Sequence, residues 1–285
     1  MASLLSEIRG RLKDAEIESS QQEAGWLLDC ALGLSSVTQV IEGDRRLSSD
    51  QVAKVEALVT RRVGREPLQY LLGTQEFCGL DFAVTPDVLI PRPETELLVE
   101  QIVREIPVEQ PATIVDVGTG SGCIAVMLAR LLPSARIIAS DISEKSLEVA
   151  RKNARRHAVE DRILWFAGDL LGPLADLELE GQIDLIVSNP PYIADADWAA
   201  LQPEVQFEPK RALVAGRRGT ECHERLLKES RSYLSPQGML ILEIGLGQGP
   251  AIRNLLGMVG GYEPASFVHD AAGIERVVMA RRNGD

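Results

Sequence analysis

From residue 112 to the end of the chain, short apolar segments alternate with stretches that repeat apolar residues at helical spacing. This alternation is typical of a mostly parallel α/β sheet, in which a helix returns the chain between neighbouring strands. The strand-like segments lie at 113–117, 136–140, 163–167, 183–188, 238–244, 262–268 and 274–280. Only a few residues around 270–273 separate the last two, which is too short for a crossover helix. The sequence therefore predicts a seven-stranded, mostly parallel sheet that ends in an antiparallel hairpin.

Residues 1–75 have a different pattern, with apolar residues at helical spacing and no β-rich stretch. Gly33 is placed to end the second helix, and residues 48–50 are placed to cap a third. The turn pair Cys78-Gly79 within residues 76–90 indicates a short hairpin or extended linker. We therefore expect a small helical bundle at 1–75, a hairpin linker at 76–90 and an α/β domain at 91–285.

Two features of the bundle have structural interpretations. Trp26 lies on the apolar side of the second predicted helix, so we expect it in the core, with contact to a ligand as the alternative. Arg61, Arg62 and Arg65 lie at the end of the third helix and are expected to form a solvated helix end, with docking of a partner as the alternative.

Charge and composition exclude several classes of protein. The chain has 42 acidic and 30 basic residues and a net charge of −12, which disfavours general nucleic-acid binding. Its four cysteines and three histidines are scattered without the spacing of zinc ligands, so no metal is expected. Charged residues come too early for a signal peptide, and no apolar run is long enough to span a bilayer. A reduced, cytoplasmic protein without a membrane partner is the simplest interpretation.

The segment Asp116-Val117-Gly118-Thr119-Gly120-Ser121-Gly122 lies between a predicted strand and a predicted helix. Glycines let the backbone approach a ligand closely, and the helix N-terminus presents free N–H groups. Asp141 ends the next strand, where a carboxylate can accept both hydroxyls of a ribose. The spacing G-x-G-x-G differs from the G-x-G-x-x-G of dinucleotide sites, so the pattern favours another adenosine-bearing cofactor. A plain tight turn is the alternative.

A second motif, Ser188-Asn189-Pro190-Pro191-Tyr192, leaves the fourth strand. Ligands of open α/β sheets bind beyond the carboxyl ends of the strands, so this motif should lie beside the glycine loop. The Asn189 side chain and the Pro190 carbonyl are two acceptors that suit a planar –NH2 group, and Tyr192 can stack on a flat amide or base. A simple turn is again the alternative.

Together these motifs resemble those of class I S-adenosylmethionine-dependent methyltransferases that modify amide or exocyclic amino nitrogens. Further segments resemble, more narrowly, the family of protein-(glutamine-N5) methyltransferases that act on bacterial peptide chain release factors. These segments are Ile90–Glu96, Ala212–Gly216, Glu243–Gly245, and Asp270 with Gly273, Glu275 and Arg276. The likeness covers nearly the whole chain.

The resemblance implies a Rossmann-like methyltransferase sheet that uses S-adenosyl-L-methionine and releases S-adenosyl-L-homocysteine. The implied reaction methylates the N5 amide of glutamine in the Gly-Gly-Gln motif of release factors, with release factors as protein partners and no direct nucleic-acid partner. The first 75 residues would then recognise the release factor. The implied cofactor-binding residues are Gly118, Thr119, Gly120, Ser121, Gly122, Asp141, Asp169, Leu170 and Asn189. The implied catalytic residues are Asn189, Pro190 and Tyr192, and the implied substrate-binding residues are the same three with Pro191.

The chain departs from the family at one position. Gly168-Asp169-Leu170 stands where such enzymes often have Gly-Asp-Trp, next to the cofactor's adenine, so Leu170 would provide apolar contact without aromatic stacking.

Two other functions remain as alternatives. An adenine-N6 DNA methyltransferase presents a similar –NH2 group from a flipped base, but it would need a basic face or a recognition insertion. A non-catalytic adenosine-binding or translation-factor-binding module would be marked by a lost acceptor at position 189 or a broken glycine loop. Both features are intact here.

Overall fold

The computed structural model describes residues 1–284, and helices occupy most of the first 72. The second helix ends at Gly33, which has the left-handed conformation that glycine tolerates. The fourth begins at a capping box, in which the Ser48 hydroxyl accepts from the Gln51 backbone and the Gln51 side chain accepts from the Ser48 backbone. The helices are α1 (Ala2–Asp14), α2 (Ser20–Leu32), α3 (Ser36–Ile41), α4 (Ser49–Val63) and α5 (Leu68–Leu72).

A short hairpin follows this helical region. Its strands are β1 (Thr74–Phe77) and β2 (Leu80–Ala83). Cys78 and Gly79 both have positive φ, 49° and 77°, as the tight hairpin turns that match strand twist require.

The remaining chain alternates helices and strands, as the sequence predicts. Its elements are α6 (Glu96–Glu105), β3 (Thr113–Val117), α7 (Cys123–Leu131), β4 (Arg136–Asp141), α8 (Glu144–Arg156), β5 (Ile163–Ala167), β6 (Ile183–Ser188), β7 (Ile193–Ala194), α9 (Lys210–Leu213), β8 (Val214–Gly216), α10 (Glu221–Tyr233), β9 (Leu234–Glu243), α11 (Gly249–Val259), β10 (Ser266–His269) and β11 (Glu275–Arg281).

The central sheet has seven strands in the order β10-β11-β9-β6-β3-β4-β5. Five of them are parallel, and β11 pairs antiparallel with both β9 and β10. The predicted fold class is therefore confirmed. Strand β10 begins at Ser266, whereas the sequence predicts a strand from 262. Tyr262 makes only an isolated bridge to Arg282, and Pro264 cannot donate a backbone hydrogen bond to a neighbouring strand.

Both faces of the sheet are covered. Along β3, Ile114 belongs to an apolar cluster with α6 and α7, whereas Val115 and Val117 belong to a second cluster with α10 and α11. The strands are thus buried on both sides, as their nearly continuous apolar sequences indicate. This arrangement leaves the loops at the carboxyl ends of the strands free to build a site.

By internal contacts the chain divides into a helical unit, residues 1–74 with 202–207, and a sheet unit formed by 75–201 and the residues from 208 onward. The helical unit has its own core, in which Ile8, Leu12, Leu27 and Leu28 are fully buried. Residues 202–207 carry no pattern that assigns them to it.

One structural interpretation of the bundle is wrong, and a second is wrong for Arg62 but not for Arg61, which is exposed as expected. Trp26 is 50% exposed, because Ala24, Leu27 and Leu28 occupy the buried face of α2. Arg62 is only 5% exposed, and its guanidinium lies 2.6 Å from a Glu23 carboxylate oxygen and 3.0 Å from one of Glu204. A buried cation requires such partners, and Glu204 lies too far along the chain for a local pattern to reveal it.

Candidate active site

A cavity of about 320 Å³ opens at the carboxyl ends of the parallel strands. Its lining includes one residue from the end of each of four neighbouring strands: Gly118 after β3, Asp141 at the end of β4, Gly168 after β5 and Asn189 after β6. The size suits a small molecule, and the position is where open α/β sheets bind their ligands. The glycine loop and the Asn189 motif therefore meet at one cavity.

The glycines of the loop have two different roles. Gly118 and Gly120 line the cavity with φ of 71° and 55°, and a Cβ on either would meet no atom closer than 4.0 Å. Their bare backbone forms a cradle that side chains would fill. Gly122 is not part of the lining, because its backbone packs against α8, where a Cβ would lie 2.9 Å from the Ala150 Cβ.

Two hydrogen bonds hold the loop from beneath. The Thr119 hydroxyl donates to Asp116 Oδ2 at 2.6 Å, and the Ser121 carbonyl accepts from Asn153 Nδ2 at 2.8 Å. Thr119 and Ser121 are buried and do not line the cavity. Burial raises the pKa of Asp116 to about 7, against the lowering effect of its hydrogen bonds, and its Oδ1 has no partner.

Asp141 links the loop to the next helix. Its Oδ2 accepts from the Gly120 backbone N–H at 2.9 Å, and its Oδ1 accepts from that of Ser143 at 2.8 Å. Burial raises its pKa, although the two backbone donors act in the opposite direction. Each carboxylate oxygen can accept a second hydrogen bond, so Asp141 can still bind hydroxyl groups from the cavity side.

Another wall of the cavity, after β4 and β5, combines apolar and charged residues. Leu170 lines the cavity with a positive φ of 48°, and the neighbouring Asp169 forms an ion pair with Arg225 at 2.8 Å. Ile142 also lines the cavity and is 61% exposed. Sequence reasoning missed Ile142, although an apolar residue directly after Asp141 was the signal. Leu170 and Ile142 together give this wall an apolar surface.

The Asn189 motif is anchored from behind the cavity. Asn189 Nδ2 donates to Thr95 Oγ1 at 3.0 Å. Within residues 1–284, no group donates a hydrogen bond to Asn189 Oδ1. Pro191 lines the cavity beside it, whereas Pro190 is buried and Tyr192 is not among the lining residues. The Tyr192 hydroxyl instead donates to Glu243 Oε1 at 3.4 Å.

Thr95 and Glu243 are further residues to which the sequence assigned no role. Both are 2% exposed, and the Thr95 hydroxyl donates to Glu243 Oε2 at 2.7 Å. They come from segments that carry the family resemblance, which was the available signal. Burial raises the pKa of Glu243 to about 7, against the effect of the hydrogen bond from Thr95.

Within residues 1–284, no cluster of three or more His, Cys, Asp or Glu side chains could hold a metal ion. No helix in this part of the chain combines the length and apolarity that crossing a membrane requires.

Two family models match the chain. Residues 3–73 match the PrmC N-terminal domain, and residues 93–207 match the methyltransferase small domain. A release factor glutamine methyltransferase of Geobacter sulfurreducens is 44% identical over 96% of this chain and 93% of its own length. One from Moorella thermoacetica is 40% identical over 98% and 97%. The chain belongs to the release factor glutamine methyltransferase family.

Solved structures agree on the fold. A methyltransferase from Pyrococcus furiosus has a TM-score of 0.53 and 18% identity, covering 80% of this chain and 98% of its own. The catalytic domain of hMettl16, solved in complex with the MAT2A 3'UTR hairpin 6, has a TM-score of 0.58 and 16% identity, covering 85% and 86%. The family and the methyltransferase small domain show that the chain is a methyltransferase, and its methyl donor is S-adenosyl-L-methionine. The bare cradle at Gly118 and Gly120 and the free acceptors of Asp141 fit such a ligand.

Proposed function

We propose that this methyltransferase modifies the side-chain amide nitrogen (N5) of the glutamine in the Gly-Gly-Gln motif of peptide chain release factors. Its relatives, which are named release factor glutamine methyltransferases, support the substrate class. The observation that carries the proposal is the free Oδ1 of Asn189 at the wall of the cavity. An acceptor held there suits an –NH2 group that approaches the methyl donor.

We propose that the cradle around Gly118 and Gly120 holds the amino-acid part of S-adenosylmethionine and that Asp141 accepts its ribose hydroxyls. Leu170 and Ile142 would provide the apolar walls for its adenine, with Asp169 beside them. Thr119, Ser121 and Gly122 would act by fixing the loop, since their contacts lie beneath it. When bound, the cofactor supplies a methyl group activated by a sulfonium.

The residues of the Asn189 motif would prepare the acceptor nitrogen. An amide nitrogen is a poor nucleophile because its lone pair is delocalised into the carbonyl. Hydrogen bonds from its two N–H groups to Asn189 Oδ1 and to the Pro190 carbonyl would increase its electron density and orient its lone pair. Orientation of this kind is worth about 7–11 kcal/mol of barrier in well-aligned reactions. Pro191 and Tyr192 would complete the substrate pocket.

The helical unit is proposed to recognise the release factor, because a Gly-Gly-Gln tripeptide is too small to specify one protein. Its α2 and α3 expose a set of large apolar side chains, which is a feature of interaction surfaces. The exposed fractions are 50% for Trp26, 65% for Val37, 83% for Val40 and 78% for Ile41. Val40→Asp should therefore raise KM for intact release factor and leave the rate with a short Gly-Gly-Gln peptide unchanged. Val108→Asp, at an exposed position of the sheet unit, is the matched control.

The reaction is tested by incubating the purified protein with labelled S-adenosylmethionine, release factor and duplex DNA, followed by mass spectrometry of the products. We expect one methyl group on the glutamine of Gly-Gly-Gln. Asn189→Ala should lower kcat by about 100-fold or more, because removal of one hydrogen-bonding group directed at the transition state has an effect of this size in other enzymes. The variant should retain cofactor binding. Methyl transfer to adenine in DNA, or a wild-type rate in Asn189→Ala, would contradict the proposal.

A further inference from the structure

A chain of hydrogen bonds lies behind Asn189, away from the cavity. Asn189 Nδ2 donates to Thr95 Oγ1 at 3.0 Å, and the Thr95 hydroxyl donates to Glu243 Oε2 at 2.7 Å. Thr95 stands at the end of a single helical turn before α6, and Glu243 ends β9. Both side chains are sealed from solvent, so water cannot replace either partner.

Glu243, the last group in this series of hydrogen bonds, decides which groups donate and which accept. An ionised carboxylate only accepts hydrogen bonds, and two hydroxyls, those of Thr95 and Tyr192, converge on the two oxygens of Glu243. Thr95 has a single hydroxyl proton. Because that proton goes to Glu243, Thr95 Oγ1 can only accept from Asn189.

The direction of the chain fixes the orientation of the Asn189 amide. Its NH2 group is committed to Thr95, so its oxygen is the atom left for a ligand. A protonated Glu243 could instead donate to Thr95, and Thr95 could then donate to the Asn189 oxygen. In that arrangement the Asn189 NH2 group would meet the substrate, and it cannot accept an N–H.

We propose that Thr95 and Glu243 are positioning residues that hold the Asn189 amide with its oxygen toward the N–H groups of the substrate. The inference rests on the proposed function, since it assumes an amide substrate at Asn189. It assigns to the ionised Glu243 the task of setting the donor and acceptor pattern of the site.

The surroundings place Glu243 where its ionisation can change. Glu94, on the helical turn that carries Thr95, raises the pKa of Glu243, whereas Arg276 on β11 lowers it. His223 of α10 contacts only the Glu243 backbone carbonyl, at 2.8 Å, and burial lowers its pKa to about 4, so it brings no charge. With burial as the largest cause, the pKa of Glu243 is raised to about 7. The ordered arrangement is therefore present above this pH and lost as the pH falls through it.

The kinetic test compares three variants with the wild type in release factor methylation. Thr95→Val keeps the shape but lacks the hydroxyl, and it should lower kcat about 10-fold or more with an unchanged Kd for S-adenosylmethionine. Thr95→Ser restores the hydroxyl and should restore kcat. Glu243→Gln can donate as well as accept, so it should lower kcat and abolish the fall in kcat below pH 7. A wild-type kcat in Thr95→Val, an equal loss in Thr95→Ser, or an unchanged acid limb in Glu243→Gln would overturn the proposal.

A spectroscopic test needs no substrate. The side-chain NH2 signals of Asn189 in ¹⁵N-labelled protein are identified by their absence in Asn189→Ala. We expect them to titrate between pH 5 and 9 in the wild type and not in Glu243→Gln. Signals with the same chemical shifts in the wild type, Glu243→Gln and Thr95→Val would overturn the positioning role. Titrating signals in a protein that fails to methylate release factor would retain that role and reject the proposed function.

Discussion

A cluster of acidic side chains in the helical unit and two buried acids of the sheet unit, Asp116 and Glu243, are held by different kinds of partner. In the helical unit, Arg62 binds both Glu23 and Glu204, and Arg65 binds Glu204 at 2.9 Å. In the sheet unit, Asp116 and Glu243 are held by hydroxyl groups and, for Asp116, a backbone N–H. Opposite charges compensate the first set, whereas neutral donors hold the second.

The pKa values follow this difference. Burial would raise the pKa of Glu204, but hydrogen bonds from Arg62 and Arg65 outweigh it, so the pKa is lowered. Burial prevails for Asp116 and Glu243, whose pKa values are raised to about 7. Paired charges hold a structure over a wide pH range, whereas acids held by neutral donors beside a cavity can change ionisation near neutrality, as is typical of functional sites.

The largest expected effect comes from breaking the charge cluster. Arg62→Ala leaves the buried Glu23 without its cation, so the unfolding free energy of the helical unit should fall by about 3–5 kcal/mol. Hydrogen–deuterium exchange of α2 and α4 measures this loss. Arg104→Ala removes an exposed pair with Glu100 and serves as the control, with an expected change below about 0.5 kcal/mol. Equal protection of α2 and α4 in Arg62→Ala and the control would show that the cluster does not stabilise this unit.

Asp141→Ala tests an acid of the sheet unit that is held by backbone N–H groups and is proposed to bind the cofactor. Loss of a charged acceptor for the ribose should weaken S-adenosylmethionine binding by roughly 1.5–3 kcal/mol, or about 10- to 150-fold in Kd. Calorimetric titration measures it, with Arg62→Ala expected to bind the cofactor like the wild type. The interpretation would be wrong if wild-type protein bound NAD as tightly as S-adenosylmethionine.

Opposite pH dependences should distinguish the two sets of acids. Between pH 4 and 7 the folded state holds a proton on Asp116 that the unfolded state has lost, so this residue makes the unfolding free energy fall as pH rises, by at most about 1.4 kcal/mol per pH unit. Asp116→Asn should therefore gain stability relative to the wild type over that window. The contribution of Glu204 is present above about pH 4.5 and is lost as pH falls further, so Glu204→Gln should differ least from the wild type in acid. Urea denaturation at several pH values measures both, and slopes of the same sign would refute the comparison.

The smallest expected effect is at a neutral contact of the helical unit. Ser48→Ala removes the capping box of α4 and should cost about 1 kcal/mol, detected as faster amide exchange in the first turn of α4. Ser48→Asp keeps a capping acceptor and should retain protection. A loss as large as that in Arg62→Ala would mean that charge pairing has no special weight in this unit.

The sequence predicted the parts of the molecule that depend on local periodicity. The alternating segments gave the seven-stranded sheet, and the motifs around Gly118, Asp141 and Asn189 were expected at the strand ends, where the cavity lies. In the helical unit, the ends of α2 at Gly33 and of α4 at Ser48 followed from capping chemistry.

Contacts between distant segments could not be predicted in this way. Thr95 meets Glu243 and Arg62 meets Glu204 only because the folded chain brings separate segments together. Trp26 shows a related limit, because its place beside an apolar stripe does not reveal that smaller neighbours fill the core. The positive φ of Leu170 could not be predicted either, because leucine rarely adopts positive φ and nothing in the sequence marks this position as an exception.

The helical unit is assembled from two separate stretches of sequence, residues 1–74 and 202–207. A fragment that ends at Thr74 retains Arg62 and Arg65 but lacks the Glu204 carboxylate that both of them bind. Transplanting this unit onto another enzyme would therefore require moving both stretches together. For the same reason, an insertion between Leu201 and Glu208 would disrupt the helical unit, although it would lie within the second half of the gene.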